Sequence, residues 1–286
     1  MKLNVITKIL IIAFIIGLSL LLYPSFSNYW NLKHATRAIN QYSHDACVIN
    51  EEDYEEIWLS AVYYNEKLKE RNSSFSLPSE LKKRYPDELN VSGNGLMGYI
   101  DIPALGVSLP IYHGTSKEIL QIAVGHLDWS ALPIGSDDSH CVLSGHRGLP
   151  RAKLFTDLNK MREGDVFTLN VLNETLTYEV DKIRTVLPDE VSELTDSEGG
   201  DYCTLVTCTP YGVNTHRLLV RGHRIANAEV GATVISEAVL VDQLIVAFYL
   251  SVPLIITLFL MVMLKRPPKK TKVDETPDVS EEQKEG

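Results

Sequence analysis

The chain has 286 residues, 45% of them hydrophobic, which is enough for one sizeable globular domain with appendages. Its net charge of −10 argues against a nucleic-acid partner. The 4 cysteines (Cys47, Cys141, Cys203 and Cys208) have neither the density of a disulfide scaffold nor the spacing of a metal site, and no metal or cofactor is expected.

Residues 1–27 form the first segment. Lys2 and Lys8 precede an apolar run from Ile9 to Tyr23, closed by Pro24. The run reads either as a membrane anchor, with Lys8 snorkelling to the interface, or as a cleaved signal peptide with Ser25-Phe26-Ser27 as the cleavage site. Residues 28–94 follow as a helical and loop segment. Residues 31–47 are polar with weak helical periodicity. Over 51–71, Tyr54, Ile57, Trp58, Ala61, Val62 and Leu68 fall at helical spacing and make one apolar stripe expected to pack on the main domain. Glu51, Glu52 and Asp53 suit its N-terminus, and Lys67, Lys69 and Arg71 its C-terminus. From 72 to 95, Pro78, Pro86 and Ser92-Gly93-Asn94-Gly95 mark a loop and a domain boundary.

Residues 95–228 change character to short strands between turns. Strands are expected at 97–103, 107–112, 141–144, 166–171, 176–186, 203–208 and 217–221, a pattern that fits a mainly β barrel or a sandwich. Ser116 caps a short helix to Ala123, and Arg151 to Lys160 suggests another. The loop from Pro188 to Asp201 is acidic (Asp189, Glu190, Glu193, Asp196 and Glu198). Its spacing is unlike a calcium loop, and it reads as a solvated border to a substrate groove. After a linker over 229–243, residues 244–264 carry no charge and would reach roughly 31 Å as a helix, close to the hydrocarbon thickness of a bilayer. The tail, 265–286, opens with Lys265, Arg266, Lys269, Lys270 and Lys272 and then turns acidic. Positive charge follows the second apolar run and precedes the first, so two spans would leave the intervening residues outside the cell.

The stretch Thr204-Leu205-Val206-Thr207-Cys208-Thr209-Pro210 reads as a strand ending in a cysteine, broken by Pro210 and Gly212, with a second strand opening at Arg217. Adjacent strands would set Cys208 beside Arg217. Cys208 is then either a buried structural thiol or a nucleophile helped by a fixed cation. Cys203, an odd number of residues away, faces the other side of the strand. Among the 8 histidines, His146 stands out because it follows a strand and sits between glycines in Ser144-Gly145-His146-Arg147-Gly148.

Taken together, Gly145-His146-Arg147-Gly148, Thr204-Leu205-Val206-Thr207-Cys208 and Arg217 resemble the sortases, cysteine transpeptidases of Gram-positive cell surfaces. Gly95-Leu96-Met97-Gly98-Tyr99-Ile100, Leu109 to Thr115, Leu143 to Pro150 and Thr207 to Arg217 look like the pilus-building class C branch, and so does the two-span layout. The resemblance implies an eight-stranded β-barrel with short helices, an N-terminal helical segment and flanking transmembrane helices. It implies Cys208 as nucleophile, His146 as general acid/base and Arg217 as oxyanion and substrate holder, with Thr207, Leu205 and Ser144 at the substrate. The implied reaction cleaves an LPxTG-like signal between Thr and Gly and passes the acyl group to a pilin lysine. Peptidoglycan anchoring of surface proteins, or a non-catalytic scaffold that binds sorting signals, are the alternatives. The implied partners are pilin or surface-protein substrates and the membrane of a Gram-positive cell, with the barrel outside. Class C sortases carry a lid with an Asp-Pro-aromatic triplet upstream of the barrel. Residues 71–95 have none, so the lid is expected to be absent or shortened and Cys208 more accessible.

Overall fold

A computed structural model describes residues 5–71, 75, 77–150, 152–190, 192–194, 199–227, 251–253, 255–257 and 259. Residues Ile16–Thr233 form one compact unit; Met1–Ile15 and Val234–Gly286 form another. In the smaller unit the described residues are helical, and Phe14 stacks on Phe259 with ring centroids 4.3 Å apart. Most of the predicted second span (244–264), the linker 229–243 and the whole tail 265–286 lie outside the described residues.

Helix α1 runs Val5–Val48. It does not stop at Pro24, where the sequence reading ended the apolar segment. Proline costs the helix one internal hydrogen bond and a clash, but tertiary burial further on holds the chain helical. Ala35, Ile39, Tyr42 and Ala46, spaced four, three and four apart, are all buried against the barrel. This is the stripe behind the weak periodicity of residues 31–47. The apolar N-terminal part of α1 is long enough to cross a membrane.

Helix α2 spans Glu51–Lys69 and starts at Asn50, whose side chain accepts from the Asp53 N–H. It packs on the barrel as expected, with one shift of face. Val62 is largely exposed, whereas Tyr64 and Asn65 are buried beside Ala61 and Leu68. Asn65 is enclosed at no polar cost because it donates to the Leu132 carbonyl at 3.2 Å and accepts from the Leu132 N–H at 2.8 Å. Helix α3, Ser79–Arg84, leads through turns to the first strand.

Eight strands close into a barrel: β1 Leu96–Ile102, β2 Val107–His113, β3 Val124–His126, β4 Ser139–Ser144, β5 Val166–Val171, β6 Glu174–Val186, β7 Asp201–Thr209 and β8 His216–Ile225. The order around the barrel is β1-β2-β3-β4-β7-β8-β6-β5. The pairs β2–β3 and β4–β7 are parallel, and the others are antiparallel. Seven of these strands stand where alternation predicted them; β3, with 3 residues, is too short to show a pattern. Helix α4, Lys117–Leu120, begins at the predicted Ser116 cap. The second predicted helix is instead a turn followed by a 3-10 segment at Leu158–Lys160. Phe155, Leu158 and Met161 from that stretch plug the barrel core beside Ile100, Leu143, Phe167 and Leu205. A plug buries side chains from several directions, so it leaves no helical periodicity to read.

Candidate active site

The β-strand period of two decides which residues of β4, β7 and β8 can meet a ligand. On β7, Cys203, Leu205 and Thr207 face the interior, and Thr204, Val206 and Cys208 face outward. On β8, Leu218 and Val220 belong to the core, so Arg217 and Leu219 face outward with them. Register then joins the outer residues in rows: Thr204 with Arg221, Val206 with Leu219, and Cys208 with Arg217. The parallel neighbour β4 adds Val142 opposite Thr204 and Ser144 opposite Val206. The outer face is therefore an apolar strip of Val142, Val206 and Leu219 that ends on a thiol and a guanidinium. Val142, Val206 and Leu219 are themselves buried, packed against Leu194, Leu127, Trp129 and Val186.

Cys208 is half-buried and free. Arg217 lies directly across the ladder from it. Its guanidinium is fixed by the turn it follows, donating to the carbonyls of Asn214 at 3.2 Å and His216 at 3.1 Å. No carboxylate pairs with it among the described residues, so donors stay available for an incoming carbonyl oxygen.

His146 reaches the same place through the loop after β4. Gly145 donates to the Val206 carbonyl at 3.0 Å, and the Thr207 hydroxyl donates to the Gly145 carbonyl at 2.7 Å. One residue past His146, Arg147 donates to the Thr209 hydroxyl at 3.0 Å. His146 is thus bracketed along the end of β7 on both sides of Cys208. Its own carbonyl accepts from Phe155 at 3.1 Å, which ties it to the core plug. Burial lowers the imidazole pKa below its ordinary 6.5, favouring the neutral ring at neutral pH. Glycine is required at 145, because a Cβ there would stand 2.6 Å from the Phe155 ring. At Gly148 the backbone is left-handed, and the Tyr211 ring would lie 2.8 Å from any Cβ.

The three predicted site residues Cys208, His146 and Arg217 are therefore gathered at one barrel end. Of the three placed at the substrate, Ser144 is on the outer face next to Val206. Leu205 is 0% exposed in the barrel core, and Thr207 is buried with its hydroxyl spent on Gly145. Those two shape the strand and the His146 loop from within. Sequence reasoning passed over Val142, Leu219, Leu194 and Trp129, the walls of the strip. The alternation that turns Cys208 to the outer face of the sheet turns Val206 there too, and so could have found it. Trp129 and Leu194 come from loops that carry no such period.

The segment expected to lack a lid motif also borders the strip. Phe75 packs edge-on to Trp129 with centroids 5.1 Å apart, and Arg71 donates to the Trp129 carbonyl. From the acidic loop, Glu193 pairs with Lys182 and Leu194 packs with the apolar strip.

A family model for the sortase domain matches residues 100–225. Among solved structures, sortase C1 from Streptococcus agalactiae is 50% identical with a TM-score of 0.65, and the match covers 67% of this chain and 100% of that one. Sortase C from Streptococcus pneumoniae, whose structure was solved for insight into catalysis and pilin substrate specificity, is 40% identical with a TM-score of 0.61, covering 66% and 97%. Sortase C from Clostridium perfringens, solved with the C-terminal cell wall sorting motif, is 41% identical with a TM-score of 0.59, covering 67% and 100%. With such identity spread over the whole barrel, and with class C enzymes among its structural neighbours, the chain belongs to the sortase family of cysteine transpeptidases.

Proposed function

We propose that this sortase is a membrane-anchored, pilin-polymerising transpeptidase. It takes an LPxTG-like signal, cleaves it between Thr and Gly, and joins the acyl end to a lysine amine of another pilin. The observation that carries this is the outer row of Cys208 and Arg217, closed by the His146 loop, at the end of an apolar strip. From Thr204 to Cys208 the strand covers about 13 Å, the length of roughly four extended residues. A Leu-Pro-x-Thr segment laid along this face, with its leucine against the partly exposed Leu127, Trp129 and Val186 that cover the strip, brings its Thr carbonyl to Cys208.

Neutral His146 takes the proton of the Cys208 thiol as the sulfur attacks that carbonyl, forming the C–S bond, and Arg217 donates to the oxyanion. The C–N bond breaks as protonated His146 gives its proton to the leaving glycine amine. An incoming lysine amine then attacks the thioester and yields its proton to neutral His146. The C–S bond breaks and an isopeptide bond forms. Two properties favour pilins as substrates: the class C neighbours, one of which is titled for pilin specificity, and the apolar helix that would hold the enzyme at the cell surface. Placement on a Gram-positive membrane with the barrel outside belongs to the same reading. The test is to incubate the chain with a sorting-signal peptide and hydroxylamine. A hydroxamate at the Thr is expected, and a pilin bearing an acceptor lysine should replace hydroxylamine. No hydroxamate would refute the reading.

A further inference from the structure

A cavity of about 330 Å³ opens between the C-terminal end of α2 and the first residues of β4, and the apolar strip leads into it. Trp129 and Leu194 wall the cavity and also pack with the strip, so the two adjoin. The strand period gives the direction. Val142 belongs to the outer face of β4, so His140, two residues earlier, faces the same side, and it lines the cavity. Its Nε2 lies 2.7 Å from the Thr204 hydroxyl. Register sets His140 beside Tyr202, two residues before Thr204 and farther from Cys208. The cavity therefore lies beyond the end of the strip that is remote from the thiol.

Its charge comes from the end of α2. A helix C-terminus favours cations, and Lys69 and Arg71 supply them; both line the cavity. Lys69 is already held, donating to Glu66 at 3.0 Å and to the Asp137 carbonyl at 2.9 Å. Arg71 donates to the Trp129 carbonyl, and no carboxylate pairs with it among the described residues. Asp138 also stands in the wall, where one carboxylate oxygen accepts from the Gly199 N–H at 2.6 Å. Burial pulls the Arg71 pKa below its ordinary value, as befits a cation partly stripped of water and given no counter-ion. The guanidinium fork has several N–H donors to spare, in the planar array that suits a carboxylate.

We infer that this cavity is a subsite for an acidic side chain upstream of the sorting signal, received by Arg71 with Lys69 beside it. The course of the peptide rests on the transpeptidase reading above, which lays the signal's Thr at Cys208 and its leucine toward Thr204. The step from Thr204 back to Tyr202 is about 6.6 Å, so an extended substrate brings the second residue before its leucine level with His140. The cavity is at the small end of ligand pockets, with room for a long side chain and little more. The whole chain carries a net charge of −10, so an acidic peptide gains nothing from long-range attraction. A preference for one has to come from a local site.

The full chain, hydroxylamine and a set of sorting-signal peptides test this. One peptide has glutamate at the second residue before the leucine, one has glutamine there, and one has the glutamate moved about four residues further upstream. kcat/KM for the first should exceed that for the second by about fivefold or more, and the displaced glutamate should match the glutamine peptide within about twofold. Equal values for the first two overturn the inference, and so does an equal gain from the displaced glutamate. In Arg71→Gln the glutamate-to-glutamine ratio should fall to about one; a ratio that keeps its parent value overturns the role of Arg71. The peptide comparison uses the parent chain and so holds even if that variant fails to fold. If the parent chain forms no hydroxamate with any peptide, the transpeptidase reading falls. The Kd of fluorescein-labelled peptides then decides the subsite alone: tighter binding of the glutamate peptide supports it, and equal binding overturns it.

Discussion

Cys208 has its neighbours supplied from three directions: Arg217 across the β7–β8 ladder, His146 from the loop after β4, and the apolar strip of Val206 and Leu219 beside it on the outer face. Cys208 itself does not hold up the fold, because it is not part of the barrel core. Cys208→Ala should therefore abolish hydroxamate formation and leave the melting temperature within about 2 °C of the parent, since surface changes of this size alter stability by only about ±0.5 kcal/mol. Turnover by that variant would refute the nucleophile assignment. The lowered pKa of His146 predicts where activity fails in acid. The acid limb of kcat/KM should lie below the ordinary histidine value of 6.5, and a pH–rate profile with its limb above that value contradicts the assignment. The same shift acts on stability. Below 6.5 the unfolded chain binds this proton more readily than the folded one, so folding weakens as pH falls through that range. Thr207 carries a structural prediction. Thr207→Val removes the donor from the buried Gly145 carbonyl, and should cost about 1–3 kcal/mol by denaturant unfolding and slow turnover through a loosened His146 loop.

At the scale of elements, the site is a property of how β4 and its following loop lie against β7. Gly145→Ala drives a methyl group into the Phe155 ring and so pushes the loop off the core plug. A loss of about 1–3 kcal/mol is expected, with kcat falling more than KM rises, which steady-state kinetics will separate. Most of this was legible in the chain itself. Seven strands show as alternation or β-branched runs, and the proposed site as a strand-end cysteine, a downstream arginine and a glycine-flanked histidine. What was not legible has identifiable causes. Strand β3 is too short to have a period. Pro24 is a local stop signal that burial of Ala35, Ile39, Tyr42 and Ala46 overrides. Trp129, Phe75 and Leu194 reach the groove from loops, whose positions depend on the packed barrel. Leu205 and Thr207 share the motif with Cys208, but the strand period turns them inward.

At the scale of the whole molecule, α1 is a strut fixed at two heights on the barrel, at Asn28 and at Tyr42. Tyr42 is almost fully buried and its hydroxyl serves both Met97 and Leu172. Tyr42→Phe leaves those two backbone groups without their partner and should cost about 1–3 kcal/mol, visible as a lower denaturant midpoint with an unchanged slope. The parallel pairing of β4 with β7 has a consequence in time as well as in space. Thr207 and Gly145 are 62 residues apart in sequence, and β5 and β6 intervene between them. Contacts of such long range form late, after the local hairpins, because the intervening loop must first be closed. A newly made chain therefore has a cysteine with neither the histidine nor the arginine beside it. Only closure of the barrel joins them, so the reactive centre matures last, when the rest of the protein has already folded around it.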